Sequence, residues 1–429
     1  MKKIKISFVQ YGGISYRSLI DLAISLDKSL FDVNYFWCHP GKDLFSNFNH
    51  LQASSEDVQS EVERLINGGV TPIQFSVKKR FIPDPTLPWI DTDFFDVFET
   101  IKTDIVFTWK GGRSEYPFMH LGHPVVEWNV FGMVDRSENL VKSLAISPLC
   151  RELYLKNGGE GSKSEVMYVP VLAPTTTDNL RIQLSIEDNA IVCGMHQRPE
   201  DAIFSPIALD AVLNISKKLK NKIYFLILGG SDRYQSYART IGLDNFHQLK
   251  YEPSINGVSR FLNTLDIYTH ARADGETLGR VLQEAMMHKL PIISHKAQWN
   301  AHVETVGSGG VVVSDSVQYA STLAEWVLDI SKAKKIGSLG YDEAVKKYSF
   351  PAIVSRFEDV LIEVAQIEEF GSHRLVKNHS RSVVSVNYAF LVRYLLIKFI
   401  NRASSVVFGK AGPGAVLRLQ QLYNRLRYR

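Results

Sequence analysis

Short apolar runs alternate with amphipathic stretches twice along this chain, and few folds accommodate that pattern. IKISFVQ reads as a strand, YGGIS as a turn, YRSLIDLAISLDKSL as a helix with Leu19, Ile20, Leu22, Ala23 and Leu26 at helical spacing, and FDVNYFWC as a strand. DIVFTWK, PVVEWNVFG, LVKSLAIS and EVMYVPV continue the series. A second series starts after the polar, turn-rich APTTTDNLRIQLSIEDN. It runs through the strand NAIVCGM, the helix IALDAVLNISKKL, the strand KIYFLILGG, the helix NGVSRFLNTL and the strand LDIYTHA. Strands alternating with helices favour parallel sheets covered on both faces. With 429 residues and 45% apolar content, two α/β domains meeting near 175–187 are expected.

Charge is unevenly spread. The formal net charge is +4, yet 371–429 holds 11 Lys or Arg and no acid, leaving 38 basic against 45 acidic groups in the rest. Within that tail NYAFLVRYLLIKFINR is amphipathic, basic and aromatic, which suits an anionic membrane surface, with packing on the chain's own core or a partner as the competing reading. No recognition motif accompanies the basic tail, so nucleic acid is not an expected partner. Cys38, Cys150 and Cys193 lack paired or metal-type spacing and read as small core residues in a reducing cytoplasm. MKKIKISFVQ is too short and too interrupted for an export signal, and no run of eighteen uncharged apolar residues spans a bilayer.

The densest chemistry lies in ADGETLGRVLQEAMMHKLPIIS. From Thr277, residues Leu278, Val281, Leu282, Ala285 and Met286 recur at helical spacing, and Lys289, Leu290 and Pro291 end the helix before a strand at Ile292. Eight positions are a little over two turns, which predicts Glu276 and Glu284 about 12 Å apart near one face. The unpaired amides of Thr277, Leu278 and Gly279 would face outward at the positive end of the helix dipole.

This block resembles the donor site of retaining glycosyltransferases of the GT-B fold, family 4, in which a Glu, a Gly-rich turn, a helix and a Glu-Ala step follow one another. The same order of strands and helices extends the resemblance over residues 1–365. It implies two Rossmann-like domains facing across a cleft: 1–180 on the acceptor side, 181–345 binding the nucleotide sugar, and 346–370 as a helix crossing back. The basic helical tail 371–429 falls outside the resemblance. By the same resemblance Glu276 lies by the donor sugar, the Thr277–Gly279 turn holds the diphosphate and Glu284 binds the ribose.

Loops after strands supply the remaining candidates. Gly12 and Gly13 follow the first strand and Gly229 and Gly230 follow another, all as donor-side turns, with plain turns as the alternative. Trp109, Lys110, Glu127 and Asn129 end two first-domain strands and are expected on the acceptor side, against ordinary loop polarity. Gly194 and Arg198 stand where the resemblance implies a Gly-Arg and then a Lys on the diphosphate; one cation is missing, and Arg272 or a Lys110 reaching across would supply it. Asn300, His302 and Glu304 form a further polar loop. Asp91, Thr92 and Asp93 have the D-x-D form that metal-dependent transferases of another fold use, but Asp93 reads better as a helix N-cap.

The expectation is a cytoplasmic, peripheral-membrane, retaining glycosyltransferase of bacterial surface polysaccharide biosynthesis. It would move a hexosyl unit from a nucleotide sugar to a glycan or lipid-linked acceptor, with no metal or other cofactor. Glu276, Arg198 and Arg272 would carry the chemistry. The rival is a non-catalytic scaffold of the same fold; a nicotinamide oxidoreductase ranks last, because neither domain's first loop carries the G-x-G-x-x-G fingerprint.

Overall fold

A computed structural model describes residues 2–9, 17–38, 55–76, 93–112, 114, 117–215, 219, 222–250 and 255–367. The turn at Gly12 and Gly13, the first two residues of Asp91–Asp93 and the tail 371–429 lie outside the described residues.

The first sheet contains β1 (Ile4–Val9), β2 (Phe31–Cys38), β3 (Val70–Phe75), β4 (Ile105–Lys110), β5 (Val125–Asn129), β6 (Leu140–Ala145) and β7 (Ser164–Val166). Its strands are all parallel, in the order β3-β2-β1-β4-β5-β6-β7. The second contains β8 (Ile191–Gln197), β9 (Ile223–Gly229), β10 (Phe246–Leu249), β11 (Ile267–Thr269), β13 (Ile292–His295) and β15 (Gly310–Val313). These too are parallel, in the order β10-β9-β8-β11-β13-β15. Two short strands, β12 (Gly275–Glu276) and β14 (Trp299–Asn300), pair beside it.

Chain order reverses between β1 and β4 in one sheet and between β8 and β11 in the other. Loops leaving adjacent strands there diverge to opposite faces and open a crevice at the carboxyl ends. The apolar strand sequences answer to burial on both faces: β5, VVEWN, is buried at every position, its Glu127 included. Cys38, Cys150 and Cys193 are buried and unbonded, as small core residues.

Each domain has its own core, and the described residues cross between them twice. Helix Ile330–Tyr348 packs on the second domain, whereas Phe350–Ala365 returns to the first. There the Phe357 ring lies 4.6 Å from Phe107 and 6.3 Å from Phe8, centroid to centroid. At the crossings the Val171 amide donates to the Tyr348 carbonyl at 2.9 Å, tying the two connections together. Asp93 sits at the N-cap of Phe94–Phe98 but does not cap it; its carboxylate accepts instead from the Ser76 amide at 2.6 Å. Among the described residues no helix is long and apolar enough to cross a membrane.

Helix Phe350–Ala365 is thus a core element of the first domain. Phe357→Ala should lower stability by about 3–5 kcal/mol in urea unfolding, the usual loss for a buried aromatic. A loss under about 1 kcal/mol would show that the helix does not complete that core.

Candidate functional site

The carboxyl ends of β8 and β11 bring together residues far apart in sequence. His196 lies near the end of β8, His270 directly follows β11, Glu276 ends β12, and Glu284 sits in helix Arg280–Met287. The side chains of Glu276 and Glu284 are 15% and 22% exposed, neither sealed in the core nor free in water. Glu284 Oε2 is 2.8 Å from His196 Nε2, and its Oε1 accepts from Arg280 Nε at 3.0 Å. Glu276 Oε1 accepts from Arg272 Nη1 at 3.3 Å and stands 3.8 Å from His270 Nε2, beyond a hydrogen bond. Arg272 is in turn fixed by Asp274 at 2.6 and 3.2 Å.

The charge states follow from these contacts. Burial alone would raise the Glu284 carboxyl, but the His196 hydrogen bond and the Arg280 charge outweigh it and hold it at about 2. Burial also opposes ionisation of Glu276, and His270 with Arg272 overcomes it, so this carboxyl too is lowered. Burial lowers His270, His295 and His302 as well, which keeps them neutral at physiological pH. His295 Nε2 accepts from the Arg272 amide at 3.2 Å, and His302 Nε2 donates to the His295 carbonyl at 2.8 Å. Three uncharged imidazoles therefore support the loop from Arg272 to Glu276 without repelling Arg272.

The helix begins later than its spacing predicts. Glu276 belongs to β12, Thr277 and Leu278 form a bend, and Gly279 is the N-cap of Arg280–Met287. Gly279 takes φ +81°, a left-handed conformation costly for other residues, and an added Cβ would come 3.2 Å from His302 Cβ. Helical spacing therefore does not relate the two glutamates: a strand and a turn set the position of Glu276. No described residue accepts from the amides of Thr277, Leu278 or Gly279.

Other expected residues divide. Gly229 ends β9 and Gly230 follows it, with φ of 75° and 73°, and the Gly230 amide donates to the Gln197 carbonyl at 2.9 Å, so this turn borders the same crevice. Arg198 follows β8, half exposed, and pairs with Glu200 at 2.9 Å. Gly194 does not reach the loop: β8 continues to Gln197, and a Cβ at Gly194 would meet the Leu226 carbonyl oxygen at 2.4 Å. Its role is close packing within the sheet, not donor contact.

The residues expected on the acceptor side depart further from expectation. Lys110, 2% exposed at its side chain, is ion-paired with Asp135 and lies 3.4 Å from Glu127. It therefore cannot reach across to the second domain. Glu127 is fully buried, accepts from Ser143 Oγ at 2.6 Å, and is pushed up to about 7 by burial despite Lys110. Asn129 spends its side chain on Met133 O at 2.8 Å, Ser143 Oγ at 3.0 Å and the Gly132 amide at 2.8 Å. Lys110, Glu127 and Asn129 thus hold β4, β5 and the following loop together rather than line a binding surface. Trp109 is half-buried, edge-on to Trp128 at 5.5 Å. In the Asn300 loop, His302 is buried, and Asn300 closes a local turn on Ala297. Glu304 accepts from Tyr168 at 2.8 Å.

His196, His270, His295 and Arg280 escaped sequence reading. His196 and His270 each stand at the carboxyl end of a strand, a placement that marks them once strand ends are known. Among the described residues no group of three or more His, Cys, Asp or Glu side chains could hold a metal ion.

Residues 206–342, most of the second domain, match the family model of the glycosyl transferases group 1. No curated protein matches the sequence. Solved structures match across both domains. A glycosyltransferase from Rickettsia africae ESF-5 superposes with a TM-score of 0.63 at 17% identity, covering 86% of this chain and 100% of that one. Anabaena Alr3699/HepE, in complex with UDP and glucose, gives 0.61 at 17% identity over 84% and 100%. The sucrose-phosphate synthase of Thermosynechococcus elongatus gives 0.60 at 14% identity over 84% and 99%. At such identities the likeness establishes the GT-B fold.

Because the folded-state pKa of Glu284 is depressed, its contribution to stability is present above about 4.5 and lost as pH falls toward about 2. Glu284→Gln should therefore destabilise the protein at pH 7 by at most on the order of 3 kcal/mol. Urea unfolding at a series of pH values should show that gap narrowing below about 4.5; a gap independent of pH would mean that the carboxylate is not held ionised.

Proposed function

With its second domain in the glycosyl transferases group 1 and its whole described body in the GT-B fold, we propose that this chain is a retaining glycosyltransferase using a nucleotide-sugar donor. One observation carries the reading. Two largely buried carboxylates flank a turn whose amides no described residue uses, at the switch point of the second sheet.

In this reading the Thr277–Gly279 amides and the N-terminus of Arg280–Met287 receive the donor diphosphate. Glu284, ionised and oriented by His196 and Arg280, accepts hydrogen bonds from the ribose hydroxyls. Glu276, held by Arg272, faces the sugar. Arg198 is the cation best able to follow charge onto the departing diphosphate, because its pairing with Glu200 is exposed and such pairs contribute under about 1 kcal/mol. Arg272 is committed to Asp274 and Glu276, so its part is to set the Glu276 carboxylate. Departure of the diphosphate on the face that the acceptor attacks retains configuration. A donor phosphate oxygen takes the acceptor proton, and no enzyme nucleophile or metal is assigned.

The donor class follows a solved neighbour, which holds UDP and glucose: a UDP-hexose is the first to try. The acceptor is a glycan or lipid-linked glycan of bacterial surface polysaccharide synthesis, delivered at the inner face of the cytoplasmic membrane, where the basic tail 371–429 would rest.

Calorimetry with UDP and a thermal-shift panel of UDP-, GDP- and ADP-sugars test the donor site, since a ligand of the native state raises the melting temperature. Glu284→Ala should weaken UDP binding by about ten-fold or more, the scale of losing a charged hydrogen-bond acceptor. Glu276→Ala should lower sugar transfer while sparing UDP. Full binding and transfer by Glu284→Ala would overturn the assignment, and UDP binding without any donor hydrolysis or transfer would favour the scaffold.

A further inference from the structure

The turn that would grip the donor is held from the first domain as well as from its own. Ser147, which caps helix Pro148–Lys156 of the first domain, uses its hydroxyl twice. It accepts from the Cys150 amide at 3.2 Å and donates to the Thr277 carbonyl at 2.6 Å. Leu278, the next residue, is 7% exposed and packs in the first domain's core. Its carbonyl accepts from Thr305 Oγ1 of the second domain at 2.6 Å. Arg280 then reaches back to Ser18, at the start of helix Arg17–Ser25, while its Nε holds Glu284 at 3.0 Å.

In a planar trans peptide the carbonyl and the following N–H point in opposite directions. Fixing the Thr277 and Leu278 carbonyls therefore fixes where the Leu278 and Gly279 amides aim. One of those two anchors, Ser147, belongs to the other domain, and so does the partner that holds Arg280 extended beside Glu284.

We infer that Ser147 and Ser18 are positioning residues for donor binding: the first domain orients the diphosphate-binding amides and the Arg280–Glu284 pair from across the cleft. The inference rests on the donor-site reading above. Neither serine needs to touch the donor. When the two domains part, the Thr277 carbonyl loses the Ser147 hydroxyl and Arg280 loses Ser18, so grip on the donor and apposition of the domains are one event.

The test is UDP calorimetry on the full chain, paired with urea unfolding of each variant. Ser147→Ala should bind UDP about ten-fold more weakly, the scale of one lost buried hydrogen bond. Ser147→Thr, which keeps both the cap and the hydroxyl donor, should bind within about two-fold of wild type. Ser18→Ala, which leaves the cap of Pro148–Lys156 untouched, should weaken binding by about three-fold or more. A merely structural role would shift the urea midpoint and leave UDP affinity of the folded variants unchanged, which overturns the inference. Wild-type protein that binds none of UDP, GDP or ADP overturns the donor reading and this inference together, whereas wild-type binding that survives both alanine variants overturns this inference alone.

Discussion

Two carboxylates drawn partly out of water at the carboxyl ends of a parallel sheet's central strands dictate what surrounds them. An ionised group loses its hydration when buried and persists only if cations and hydrogen bonds replace it. Glu284 finds His196 and Arg280; Glu276 finds Arg272 with His270 nearby. Those partners come from the ends of β8 and β11, from the loop after β11 and from one helix, and only the switch point of the sheet brings such segments together. The neutral histidines matter for the same reason. They fill the space beneath Arg272 with hydrogen-bonding groups and no added charge.

The first domain solves a related problem with a different outcome. Lys110 faces Asp135 and Glu127 in a site nearly closed to water, one cation against two carboxylates. Burial raises Glu127 to about 7, while Lys110 and its hydrogen bonds hold Asp135 low. The group is neutral overall when Glu127 keeps its proton, which is how the interior tolerates it. Such a cluster specifies how β4 and β5 continue into their loops, and it leaves no charge to spare for a ligand.

Fold class was legible because it depends on coarse periodicity: strands buried on both faces, helices between, and a polar break near 175–187. The resemblance implied a helix crossing back over 346–370; one helix ends at Tyr348 and Phe350–Ala365 packs in the first core, although nothing in its own apolar pattern says which core it enters. Residue roles were harder wherever they depend on an element's last few positions. The apolar run NAIVCGM points to an end of β8 at Met195, but the strand runs on to Gln197, which buries Gly194 and sets His196 beside Glu284. Helical spacing from Thr277 is real in sequence, yet Gly279 at φ +81° stops the helix short and leaves Leu278 free to enter the other domain. Polar residues at strand ends looked alike in sequence; only tertiary pairing separates Lys110, Glu127 and Asn129, which serve the interior, from His196 and His270.

The scarcity of cations at the proposed diphosphate site then has a consistent physical account. Met195 occupies β8 as a core residue, Arg272 is absorbed by two carboxylates, and Arg198, which follows β8, is only loosely paired with Glu200. With few mobile cations there among the described residues, fixed dipoles carry more of the task, namely the turn amides and the N-terminus of Arg280–Met287, whose strength depends on their aim rather than on their number. Misdirected amides cost far more in such a site than in one with two lysines or arginines, whose long side chains follow a phosphate as it moves. Rigid anchoring of the turn from both domains is what a dipole-based site requires, and it is the arrangement found around Thr277 and Leu278.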